Sequence, residues 1–143
     1  MDLKRIQENL DELESYLNEL EILLPEHEKD YVELRTKRAC EKTFELACEA
    51  TIDVCNIIVS QKGYGKPVDS RDSMSKLVEN SVISEDLGER LKDMVGFRNL
   101  LVHRYGRVDD HQAFTHLTNE LGDFFEFMEA IDMFVEEEKT NEE

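Results

Sequence analysis

Arg98, His103 and Tyr105 stand close together in the run Arg98-Asn99-Leu100-Leu101-Val102-His103-Arg104-Tyr105. A guanidinium grips phosphate oxygens through paired N–H groups. An imidazole exchanges protons near neutral pH, and a phenol donates or accepts a hydrogen bond. The three types together suit chemistry at a phosphate group. Position 98 is unusual in itself. The preceding apolar residues Leu87, Leu91 and Met94 define a stripe that continues through positions 98, 101 and 105. An arginine therefore falls where the stripe asks for a leucine. A charge on a buried face costs several kcal/mol unless it is paired. A structural ion pair, a helix end leaving the core, or a ligand site would each explain it. His103 lies five residues on, about 140° around an unbroken helix, so it would not point the same way as Arg98. The long reach of Arg98, and a helix ending near Tyr105 with Gly106 as the stop, would bring the two together. A cluster of Arg, His and Tyr at a helix end can bind phosphate. A histidine there can also be a simple partner of the helix dipole.

The elements that must position this run are helical. Leu3, Ile6, Leu10, Leu13, Leu17, Leu20 and Leu24 alternate steps of three and four, so a first helix is expected from about Asp2 to Leu24, closed by Pro25. A long second helix is expected from about Glu26 to Ser60. From Cys40 onward its stripe is Cys40, Phe44, Ala47, Thr51, Val54 and Ile58, widened by Cys48, Ile52, Cys55, Ile57 and Val59. Such a helix is either the centre of a bundle or also meets a second subunit. Asp53 and Asn56 interrupt the apolar stretch. Asp53 is a candidate partner for Arg98, with a solvated edge as the alternative.

Gly63, Gly65 and Pro67 mark a loop over residues 61–73 that carries Lys62, Lys66 and Arg71. A short helix follows, about Ser73 to Asn80, with Ser73 as a possible cap. Ser84 caps the motif helix. A last helix begins at Asp109 or Asp110 and shows Phe114, Leu117, Leu121, Phe124, Met128, Ile131 and Val135 as its core stripe. His111 and His116 lie early in it, five apart, and read as surface residues. The expected fold is all-α: an antiparallel up-and-down bundle of four long helices plus one short helix, one domain over residues 1–135. Residues 136–143 form an acidic tail expected to be disordered.

Charge bears on partners. The chain has 143 residues and a net charge of −17, which argues against binding nucleic acid by bulk electrostatics. Between Arg90 and Arg107, however, five cations face one anion, so the motif sits in a basic island. The usual basic bias at a helix C-terminus is the plain alternative. Cys40, Cys48 and Cys55 would lie on one side of a helix, successive pairs roughly 10–12 Å apart along its axis, too far for a disulfide or a shared metal ion. They read as core residues in a reducing compartment. The absence of a signal-like or membrane-length apolar run leads us to expect a soluble, cytoplasmic protein with no metal site.

The motif resembles the R-x4-H-x-Y signature of HEPN-type ribonucleases, in particular the HepT toxins. The likeness extends to Met94-Val95-Gly96-Phe97-Arg98-Asn99 before the histidine and Gly106-Arg107-Val108-Asp109 after the tyrosine. It covers roughly residues 1 to 135. The resemblance implies a metal-independent ribonuclease with Arg98 and His103 as catalytic residues, supported by Asn99 and Arg104. It implies a homodimer whose two motifs face each other. It also implies an MntA-type nucleotidyltransferase antitoxin that uses ATP to attach AMP to Tyr105, with no cofactor in this chain itself. A phosphodiester on Tyr105 would place negative charge beside Arg98 and His103. The competing reading is a non-catalytic helical binding subunit of a nucleotidyltransferase, favoured by the acidic charge and the single motif histidine per chain.

Overall fold

The computed structural model describes residues 1–103 and 108–142. Among these, six helices follow one another: α1 (Leu3–Leu23), α2 (Glu28–Tyr31), α3 (Leu34–Lys62), α4 (Ser70–Glu79), α5 (Glu85–His103) and α6 (Asp110–Glu142). Four are long and two are short, so the expected bundle stands with one extra short helix.

α1 forms as the leucine seam requires. Asp2 caps it by accepting from Arg5 N at 3.1 Å, and Ile6, Leu10, Leu13, Leu17 and Leu20 are buried against α3. The expected unbroken helix from Glu26 is in fact two. Glu33 restarts the chain as the cap of α3, accepting from Arg35 N at 3.1 Å and Thr36 N at 2.8 Å. Those bonds to the ionised carboxylate hold the Glu33 carboxyl below its usual range. The break lets α2 turn inward and bury Tyr31, whose ring packs on Phe114 at 5.6 Å. A glutamate is a poor cap by type, which is why the sequence concealed the break.

From Cys40 to Val59, α3 is the central helix. Phe44, Ala47, Cys48, Val54, Cys55, Ile58 and Val59 are all buried within the chain, and the three cysteines are free thiols. Gly63 ends the helix in the left-handed conformation (φ 68°), with Tyr64 N donating to Val59 O at 3.0 Å. α4 starts before the expected Ser73. Asp69 caps it by accepting from Asp72 N at 2.8 Å, while Ser73 is buried and donates to Asn56 Oδ1 at 2.6 Å. Ser84 caps α5, accepting from Leu87 N at 3.1 Å. Asp109 caps α6.

The acidic stretch from Glu136, expected to be disordered, continues α6 to Glu142. Ion pairs tie it to the rest of the bundle: Lys62 meets Glu138 at 2.9 Å and the Met1 amino group meets Glu142 at 3.3 Å. Among the described residues no helix is long and apolar enough to cross a membrane, and no group of acidic, histidine and cysteine side chains is placed to hold a metal ion.

Candidate functional site

α5 is built so that one side seals the core and the other carries polar chemistry. Leu87, Leu91, Met94, Val95, Phe97 and Leu101 are buried. Arg98 interrupts this face. Its side chain is 21% exposed, so the guanidinium sits at the edge of the core rather than in bulk water. Nη2 donates to Glu49 Oε1 of α3 at 3.3 Å, and Nη1 donates to Asn99 Oδ1 at 3.0 Å. Nε is buried and has no acceptor among the described residues.

The expected partner Asp53 is not the one used. The crossing of α3 and α5 sets position 49 against position 98, one turn before Asp53. Asp53 is exposed and turned toward α1, where Arg5 and Glu12 act on its charge. Partial burial, with the Glu49 charge beside it, raises the Asp53 carboxyl above its ordinary range.

Asn99 lies on the exposed side of α5 and draws part of the Arg98 guanidinium round the helix. His103, the last described residue of α5, is exposed at its C-terminal end. Asn99 and His103 are four positions apart and share a face. The bond from Arg98 to Asn99 therefore narrows the angular gap that the sequence left between Arg98 and His103. Arg104 and Tyr105, with Gly106 and Arg107, lie outside the described residues.

Three features escape the motif. Glu49 is the first, and its only sequence signal was its position one turn before Asp53. The second is the pair His116–Glu120 on α6. His116 is at the surface, as expected, but it is engaged there: its ring stacks on Phe97 with centroids 4.5 Å apart and planes 19° apart. Its Nδ1 lies 3.0 Å from Oε1 of Glu120, which is only 7% exposed. Burial pushes the Glu120 carboxyl up to about 7, with His116 pulling partly the other way. The spacing of four between His116 and Glu120 was the available signal. The Cys48 thiol, raised first by burial, feels Glu120 and Arg98 from opposite directions, so α6 and α5 both bring a charge to this part of α3.

The third feature is Arg71 on the first turn of α4, which reaches across α5. Its Nε donates to Lys92 O at 3.3 Å and its Nη2 lies against Gly96.

The arrangement offers a half-buried guanidinium and an exposed imidazole at a helix end, with no metal-ligating set among the described residues; the other described cations of α5 are already paired, Arg90 with Asp86, Asp123 and Glu126, and Lys92 with Glu89. The guanidinium and the imidazole can bind an anionic oxygen and move a proton beside it.

The chain is similar to several known proteins. An "mRNA nuclease HepT" from Shewanella oneidensis is 39% identical over 84 residues, which is 59% of this chain and 63% of that protein. A "tRNA nuclease HepT" from Aphanizomenon flos-aquae is 24% identical over 95 residues, 66% of this chain and 65% of that protein. The matched stretches thus span just under two thirds of these relatives' own length. Among solved structures, a tri-AMPylated Shewanella oneidensis HEPN toxin in complex with its MNT antitoxin superposes with a TM-score of 0.84 at 26% identity, covering 90% of this chain and 96% of the other. The profile of the "Ribonuclease HepT-like" family matches residues 6–131, and the chain belongs to that HepT-like family.

Proposed function

We propose that this protein is a metal-independent RNA-cleaving toxin, restrained by a nucleotidyltransferase that attaches AMP to Tyr105. The observation that carries the reading is the joint placement of Arg98 and His103. Arg98 sits at the edge of the core with its guanidinium shared between Glu49 and Asn99, and His103 stands exposed on the face that Asn99 occupies.

RNA supplies its own nucleophile, the 2′-hydroxyl. Cleavage needs a base to remove that proton, an acid for the leaving 5′-oxygen, and a cation for charge developing on phosphorus. His103 is assigned the proton transfer and Arg98 the phosphate. One histidine serves one of the two proton transfers, so a second copy of the chain is part of this reading. Leu100, 50% exposed beside the motif, presents apolar surface for it. The three buried free thiols fit a reducing cytoplasm. ATP belongs to the partner enzyme.

The relatives' names support the reading: nucleases of mRNA and tRNA, and a toxin AMPylated in complex with an antitoxin. Its test has two parts. The purified chain should cleave a labelled RNA pool in the presence of a chelator, and His103→Ala should abolish cleavage while keeping the helical circular dichroism. Co-expression with an MntA-type nucleotidyltransferase should add one or more AMP masses that vanish in Tyr105→Phe. Cleavage unchanged in a folded His103→Ala variant would remove His103 from the reaction, and a folded parent chain that cleaves no RNA would overturn the nuclease assignment. It would leave the binding-subunit reading, which the net charge of −17 favours.

A further inference from the structure

Resting on the phosphodiester reading above, we propose that Arg71 of α4 is a second phosphate-binding residue, gripping a neighbouring phosphate of the same RNA strand that His103 cleaves. Arg71 lies far from the motif in sequence and belongs to a different helix.

Its place is fixed by a glycine. The terminal guanidinium nitrogen occupies the space that a Cβ on Gly96 would fill, and Nε is anchored on Lys92 O at 3.3 Å. Any side chain at position 96 displaces the guanidinium. Gly96 and His103 are seven residues apart, which returns to the same face of α5 within about 20° and rises about 10 Å. Asn99 lies between them on that side. Arg71, Asn99 and His103 therefore form one polar line along α5, with the arginine one end and the histidine the other.

The local charges leave this cation available. Arg71 is exposed, and its two Nη groups have no acceptor among the described residues. The nearby acids do not pair with it. Asp72 accepts from Val68 N and pairs with Lys76, and Glu89 pairs with Lys92. Asp93 is exposed on α5 and forms no ion pair with Arg71. In a chain of net charge −17, a guanidinium held by backbone on the motif face, with no ion pair among the described residues, is suited to a phosphate.

The test uses the full chain carrying His103→Ala, so that RNA is bound and not cut, and a fluorescein-labelled mixed-sequence single-stranded RNA followed by anisotropy across a salt series. Arg71→Ala should weaken binding about three- to tenfold, and the slope of log affinity against log salt should fall by about 0.7, the value of one phosphate contact on a single strand. Arg71→Lys should restore most of the slope. Gly96→Ala should reproduce the loss with Arg71 still present, and the double variant should bind no worse than either single one, because both remove the same contact. In the His103-intact protein Arg71→Ala should raise KM and leave kcat within about twofold.

Binding and slope unchanged in Arg71→Ala, with or without a lower Tm, would make Arg71 a tie between α4 and α5 and overturn the proposal alone. No RNA binding by the His103→Ala protein would overturn the phosphodiester reading and this proposal together. The two failures are thus told apart by the parent binding curve.

Discussion

Arg98 Nη2 and Glu49 Oε1 lie 3.3 Å apart between α5 and α3, with the arginine side chain 21% exposed and the glutamate 43% exposed. The pair joins a cation that the core half-encloses to a carboxylate that water half-screens. Such a pair contributes little to stability, on the order of 0–1 kcal/mol. Its consequence is orientation: Glu49 and Asn99 hold the guanidinium from two sides and leave it open to a competing oxyanion. Glu49→Ala should change Tm by no more than about 3 °C and keep cleavage within about threefold. Arg98→Ala should lower kcat by about a hundredfold or more, because it removes the cation offered to the developing charge. Single-turnover cleavage of one RNA by the two variants checks both. Equal losses in the two would show that the ion pair, and not the arginine, is what the reaction needs.

Tyr31 offers a stability test far from the site. Its ring is wholly buried on Phe114, yet its hydroxyl has no hydrogen-bond partner among the described residues. Burial raises the phenol's pKa strongly, which keeps it neutral. A buried unsatisfied hydroxyl costs about 1–3 kcal/mol, and phenylalanine removes it while keeping the ring contact. Tyr31→Phe should therefore raise Tm by a few degrees with no change in helix content. A fall of similar size would mean that the hydroxyl has a partner, such as an ordered water.

The legible and the hidden parts of this molecule divide by the range of the forces involved. The leucine seam of α1 and the aromatic stripe of α6 could be read because burial of one helix face repeats every three or four residues. The site's own helix was legible for the same reason, since Arg98 stood out against its stripe. What could not be read were pairings set by helix crossing. Whether Arg98 meets Glu49 or Asp53 depends on a shift of one turn between α3 and α5, and both carboxylates are equally plausible in one dimension. Arg71 against Gly96, and His116 against Phe97, are likewise contacts between different helices. The helical tail to Glu142 was missed because its acidic composition suggested repulsion. The ion pairs from Lys62 and the chain's amino terminus offset that repulsion, and both partners are remote in sequence.

Two glycines of α5 should respond in opposite ways to alanine. A Cβ on Gly88 would run into the Val78 side chain of α4, where the two helices approach closely. Overpacking of that kind costs about 1–3 kcal/mol, which outweighs the roughly 1 kcal/mol that alanine gains over glycine in a helix. Gly88→Ala should lower Tm. At Gly96 only the flexible end of Arg71 is in the way, so Gly96→Ala should hold or raise Tm while displacing that guanidinium. Thermal melts of the two variants beside the parent distinguish a packing glycine from one that makes room for a cation.

The pH dependence of stability should trace to Glu120. It is buried on α6 with His116 at 3.0 Å, Asp123 on its own helix, Asp93 facing it from α5 and the Cys48 thiol from α3. Burial raises its carboxyl from the ordinary 4.5 to about 7 in the folded chain. Between those values the folded protein keeps a proton that the unfolded chain has lost. The unfolded state then binds fewer protons, so stability falls as pH rises through that window and is fully present only below it. Glutamine cannot ionise and keeps the hydrogen-bonding shape. Relative to the parent, Glu120→Gln should be nearly neutral near pH 4.5 and progressively more stabilising toward pH 7. Urea midpoints measured across that range give the comparison directly. A constant offset between the two proteins would show that Glu120 is ionised throughout, held by His116 as a fixed charge pair.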